Sequence, residues 1–288
     1  MATPSPQSTV VRFRDAGRLI ADRAARAYTA GSTVADLQTV CAGIHRRGLS
    51  TTVCYWNEDA DTPHHVAAAY SRLVDLISTF ERESYLSIKA PALKFDPFLI
   101  DQLVDRCLQN RLCLHFDSLG PEAAEPTFDI IRRVWPTGLP IGISLPARWR
   151  RSATDADAAV EMGLRVRIVK GQWGDSESPD INPTEGFLTL VNRLAGRAAR
   201  VAVATHDAPL AAEALRRLRS AGTPCELEVM HGYPRRRMCE IARQFNASVR
   251  VYVPHGRAWL PYRVRSAPAN PRVLVWLLRD LLRSRPSN

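Results

Sequence analysis

Residues able to do chemistry recur in this chain at one kind of place, directly after a short apolar run. Trp56-Asn57-Glu58, Lys89, Asp117, residues 167–171, Thr205-His206, and residues 228–232 and 252–256 each follow such a run. Any one of them is explained as a solvated loop residue, but seven at equivalent places point to a shared site. Carboxylates and cations converging on one mouth suit a zwitterionic ligand, because a charge withdrawn from water is tolerated only when paired and hydrogen-bonded. The histidines offer a second reading. His115, His206, His231 and His255 fall near run ends, and histidine is the commonest metal ligand, so a metal-dependent barrel hydrolase is an alternative. No His-x-His follows the first run and no helix carries HExxH; no metal site is assigned.

The elements that must position these residues read as repeated strand and helix units. Eight apolar runs, 49–56, 85–90, 111–117, 140–145, 164–169, 200–204, 225–230 and 249–253, alternate with segments of helical period. Between the first two, Thr62 and Pro63 suit N-cap and first helical position, and Val66, Tyr70, Leu73 and Ile77 recur at i+4 and i+3. The same spacing predicts helices over 207–219, 234–245 and 271–283. Eight strands joined by helical crossovers favour a closed (β/α)8 barrel over an open doubly wound sheet. The expected organisation is a disordered stretch over 1–10, a helical segment over 11–43 and one barrel domain over 44–288, with no linker or repeat.

Composition agrees with one globular domain. The chain has 288 residues, 45% hydrophobic and 24% charged, ordinary values for a protein with a sizeable core. The net charge of +10 comes almost wholly from arginine, since Lys89, Lys94 and Lys170 are the only lysines. Positive charge alone attracts phosphates and anionic lipids, but no nucleic-acid motif accompanies it, and Arg235-Arg236-Arg237 reads as a solvated helix face. Six cysteines form no CxxC pair and sit in apolar contexts, which fits a reduced, cytoplasmic setting. The polar start lacks the regions of a secretory signal, and no apolar stretch is long enough to span a bilayer.

The segments 166–171 (VRIVKG), 204–206 (ATH), 249–254 (VRVYVP), 259–262 (WLPY) and 268–270 (PAN), in this order, resemble the proline dehydrogenase family. The Glu58 turn, Ser87-Ile88-Lys89, and Asp117 with Thr127 ten residues on extend the likeness over about residues 45–280. The resemblance implies a distorted (β/α)8 barrel of the TIM type that holds FAD at its mouth and oxidises L-proline, or a related cyclic amino acid, to a pyrroline-carboxylate by hydride transfer to the flavin. It places Lys89, Asp117, Arg167 and Tyr252 at the reaction. Glu58, Lys89, Tyr252, Tyr262 and Arg265 would bind substrate, Arg265 taking the carboxylate and Glu58 orienting an arginine. Arg167, Lys170, Gly171, Trp173, Thr205, His206 and Glu228 would contact FAD. It also implies a membrane quinone as electron acceptor, met from the inner surface of the membrane.

Several positions depart from that pattern. A second arginine expected after Arg265 is Ser266, a loss on the order of 2 kcal/mol in substrate binding. A tyrosine expected after the lysine-glycine turn is Trp173, a glutamine of the fourth strand is Pro146, and a glutamine of the seventh is Glu228. These changes cluster at one mouth and point either to a pocket retuned for another cyclic amine or to a catalytically divergent relative that binds a ligand or partner without flavin chemistry.

Overall fold

The computed structural model of the protein describes residues 28–175 and 181–256. The expectations for 1–10, for most of 11–43, for the helix over 271–283 and for Tyr262 and Arg265 lie outside the described residues.

Eight parallel strands close on themselves in sequence order: β1 (Ser50–Tyr55), β2 (Ser84–Ile88), β3 (Leu114–Phe116), β4 (Ile141–Pro146), β5 (Arg165–Val169), β6 (Arg200–Ala204), β7 (Cys225–Met230) and β8 (Ser248–His255). The ring is completed by β8 lying beside β1, from Ser50 opposite Arg250 to Tyr55 opposite His255. Among the described residues eight helices surround it: α1 (Val34–His45), α2 (Pro63–Ser78), α3 (Pro97–Gln109), α4 (Ala124–Val134), α5 (Ser152–Glu161), α6 (Pro183–Leu194), α7 (Ala208–Ser220) and α8 (Arg236–Gln244). The (β/α)8 barrel expected from the sequence is the observed fold.

Local chemistry explains where the helices begin. Thr62, Asp96, Asn182 and Asp207 each accept a backbone N–H of the following turn, and a proline stands at the first or second position of each helix. Such caps satisfy donors the helix itself cannot. All four lie in the loops after strands, so the helix starts ring the mouth. The third run was expected over 111–117 but contracts to Leu114–Phe116. Arg111 takes a left-handed φ of 55° as the chain leaves α3, and the Leu112 amide closes on Cys107 O.

Strand alternation divides the interior into two environments. Outward residues such as Val53, Leu86, Ile88, Ile143, Val166, Ile168, Val203, Leu227 and Val251 are buried with Leu73, Leu103, Phe187, Leu190 and Leu215 of the helices in one apolar core. At about 1.5–3 kcal/mol for each large aliphatic side chain, this layer supplies most of the stabilisation. Many of the inward residues are polar instead. At the barrel floor Arg250 is fully buried; its Nε donates to Glu226 Oε1 (2.9 Å), Nη1 to the Thr51 carbonyl (2.8 Å) and Nη2 to Glu83 Oε2 (2.5 Å), and it stacks 4.1 Å from the Tyr85 ring. Above it, His115 bonds Ser144 Oγ (2.9 Å) and stacks on Tyr85. Most barrels of this class fill that space with branched aliphatics; here paired charges do so.

Candidate active site

The top of the polar interior opens into a cavity of about 490 Å³ at the C-terminal ends of the strands, where barrels of this class carry their active sites. Its floor is a guanidinium between two carboxylates. Arg167 of β5 donates from Nε to Glu228 Oε2 of β7 (2.9 Å) and from Nη1 to Asp117 Oδ1 (2.6 Å) and Ser144 Oγ (3.2 Å). Asp117 also accepts from Ser87 Oγ (2.8 Å) and from Tyr252 OH (2.7 Å). These side chains meet because inward positions on β3, β5 and β7 share a layer, as odd-numbered strands do in a barrel.

Burial and charge compete in this trio. Burial alone would pull Arg167 down, but Glu228 and Asp117 outweigh it and hold the guanidinium well above its usual range. Glu228 shifts upward, because burial costs its carboxylate more than Arg167 returns. The two shifts bear oppositely on the pair. The pair is ionic, since the 2.9 Å contact of Glu228 to the guanidinium is a charge-assisted bond. Tyr252 is pushed well up by burial and by Asp117, so it remains a phenol that donates.

The walls are aromatic and cationic. Lys89, itself buried, projects Nζ 5.2 Å from the Trp56 ring while Tyr70 OH accepts its backbone N–H (3.0 Å). Trp56 Nε1 lies 3.4 Å from the Tyr252 hydroxyl. On the opposite side His206 Nε2 accepts the Met230 amide (3.0 Å) and the ring stacks 4.6 Å from Tyr233. Burial pushes His206 down to about 4, so it is neutral at pH 7 with its proton on Nδ1. Gly171 has φ +89°, and a Cβ there would come within 2.9 Å of Pro146 Cβ, so glycine is required where these two loops touch.

The structure brings together Lys89, Asp117, Arg167, Gly171, Trp173, Thr205, His206, Glu228 and Tyr252 around this one cavity. It does not bring Glu58 or Lys170 to the lining. Glu58 faces an adjoining cleft with Asp61, His65, Arg72 and His255. Lys170 stands at the rim, paired with Asp207 at 3.0 Å. Tyr262 and Arg265 are outside the described residues. Sequence reasoning gave no role to Ser87, Ser144 or Tyr233; Ser87 carries a signal, since it lies two residues from Lys89 on the extension of its strand, whereas Ser144 stands between Gly142 and Pro146 and Tyr233 sits in a loop. Among the described residues no three metal-ligating side chains converge, and of the histidines considered as ligands His115 lies in the barrel interior, His206 in the cavity wall and His255 in the adjoining cleft.

A closed parallel barrel with an ionic, aromatic-walled mouth defines the chain as a barrel protein of the enzyme type. No family model matches it. Along nine-tenths of its length it is similar to curated proline dehydrogenases: 25% identical over 277 residues to "Proline dehydrogenase 1" of Bacillus subtilis strain 168, covering 90% of this chain and 91% of that protein. "Proline dehydrogenase 2" of the same organism is 20% identical over 254 residues, covering 83% and 84%. Among solved structures it superposes on proline utilization A (PutA) of Bdellovibrio bacteriovorus inactivated by N-propargylglycine, with TM-score 0.73 and 15% identity, and on PutA of Bradyrhizobium japonicum, with TM-score 0.68 and 19% identity. These likenesses show the fold. They take in 84% and 88% of this chain but about a third of each PutA chain, 32% and 31%. The resemblance to the proline dehydrogenase family holds along the barrel.

Proposed function

We propose that this chain is a flavin-dependent oxidoreductase that oxidises L-proline, or a cyclic amino acid close to it, to a pyrroline-carboxylate. The observation that carries the reading is the Arg167 trio at the floor of the cavity, in a chain similar to proline dehydrogenases over nine-tenths of its length. The residues present fit FAD. Arg167 Nη2 and Glu228 Oε1 are buried with no hydrogen-bond partner among the described residues, which leaves a donor beside an acceptor where the polar edge of an isoalloxazine requires both. Arg167, Gly171, Trp173, Thr205, His206 and Glu228 would hold it, and when bound it supplies the acceptor for the substrate's hydride.

The protein's own residues prepare the substrate side. Asp117 is fixed by three donors, Ser87, Arg167 and Tyr252, and in turn fixes the Tyr252 ring at one face of the cavity. Lys89 and Trp56 form the facing wall. Together they exclude water and restrict a small ring to one orientation, the kind of positioning that converts binding into rate. Arg265, where the resemblance places it, would take the carboxylate. Among the described residues no helix is long and apolar enough to cross a membrane.

Absorbance of the purified protein, before and after anaerobic L-proline, tests the reading. Oxidised-flavin bands that bleach with proline support it, and bands that bleach only with another cyclic amino acid move the substrate. A protein that takes up no flavin on reconstitution, and so is a divergent ligand-binding relative, refutes it.

A further inference from the structure

Arg167 is more tightly enclosed by negative charge than a side chain presenting a cation would be. One guanidinium serves the carboxylates of both Glu228 and Asp117, with Arg167 and Glu228 only 4% and 2% exposed. Lys170, the other cation assigned to the cofactor, is likewise matched by Asp207. The polar atoms of the trio left without a partner are one donor, Arg167 Nη2, and one acceptor, Glu228 Oε1.

We propose that Glu228 is a positioning residue that, with Asp117, cancels the charge of Arg167, so that the guanidinium meets the cofactor as a fixed hydrogen-bond donor beside an acceptor and reduction takes up two protons rather than one. The inference rests on the flavin reading above. In the reaction the substrate carbon gives up a hydride, the amine sheds its proton to water, and the carbon–nitrogen bond becomes double. The hydride brings the flavin both electrons and one hydrogen, leaving one extra negative charge on the ring. A net cation nearby would hold that charge unprotonated. One positive and two negative groups give the trio the opposite sign, and the ring then takes its second proton from solvent.

The other groups that face Glu228 do not blur the effect. Tyr85 of β2 and Tyr252 of β8 are raised by burial and stay neutral, Arg250 of β8 is matched by Glu226 of β7, and His206 near β6 is neutral. Glu228 is thus the group whose ionisation takes the trio from neutral, Arg167 against Asp117 alone, to net negative.

Redox titration of the FAD-loaded protein between about pH 6 and 8, in the wild type and in Glu228→Gln, tests this. The wild-type potential is expected to fall with pH by two protons for the two electrons, and that of the variant, whose trio is neutral, less steeply. The wild-type slope is decisive by itself should the variant fold poorly. A wild-type slope of one proton per two electrons overturns the proposal, as does an equal slope in both proteins, the result expected if Glu228 were already protonated. Failure to take up FAD overturns the flavin reading and this inference together, and the spectrum reveals that before any titration begins.

Discussion

Replacing Arg167 by methionine removes the one cation that Glu228 contacts among the described residues. Asp117 keeps two donors, Ser87 and Tyr252, but Glu228 is left 2% exposed with neither oxygen paired. Removing one partner of a buried ion pair costs about 3–5 kcal/mol because the remaining charge is stranded, and the cost here falls on Glu228. Urea denaturation at pH 8 should therefore show a lowered midpoint with an unchanged slope m. The deficit should depend on pH in a defined direction. Glu228 already sits above the ordinary carboxylate value of 4.5, and without Arg167 it rises further. A carboxyl whose folded-state pKa is raised holds a proton the unfolded chain has released, so stability falls as pH rises through that window. The Arg167→Met deficit should shrink at pH 5. The double variant Arg167→Met/Glu228→Gln should recover at least half of the loss at pH 8, a coupling beyond the error of additivity. A loss below about 1 kcal/mol, or strict additivity of the two substitutions, would refute the buried ion pair.

Two further tests probe the scaffold and the wall of the site. Gly186 lies inside α6, where alanine normally gains about 1 kcal/mol over glycine; here an added Cβ would collide with the Ala147 carbonyl oxygen in the loop after β4. Gly186→Ala should lower the melting temperature by the equivalent of about 2–3 kcal/mol, and an unchanged or raised value would count against the contact. His206, held near 4 against an ordinary 6.5, contributes stability that is complete above pH 6.5 and is lost as pH falls towards 4, on the order of 2 kcal/mol. Denaturation midpoints at pH 7 and 4.5 should differ less in His206→Gln than in the wild type; an identical acid loss would mean the ring is not buried neutral.

The barrel was readable because its outward strand faces and helix stripes are apolar and regularly spaced, and because Thr62 and Asp207 cap helices by local chemistry alone. Local signals failed where tertiary geometry decides. The start of β3 was overestimated because Leu112 and Cys113, apolar and strand-like in type, follow a helix exit that needs Arg111 at positive φ. The mouth residues were legible as strand ends, but their pairing was not. Glu228 read as an isolated carboxylate beside a cofactor, whereas its partner Arg167 lies 61 residues away in sequence. Glu226 and Arg250 were passed over although each stands two positions from a site residue and therefore points inward with it. Lys170 follows Arg167 by three, an odd step on a strand, and accordingly turns away from the cavity.

The Arg250 cluster at the barrel floor bears on how the molecule assembles. Its arginine belongs to the last strand, while its acceptors are carbonyl and carboxylate groups around the first two strands and an acid on the seventh. An incomplete barrel would leave that guanidinium without most of these acceptors, so partly closed intermediates gain little from it until the two ends of the sheet meet. The final strand acts as a clasp that fastens only when the ring is whole, and a fragment lacking either end has a half-open sheet with an unmatched charge at its base.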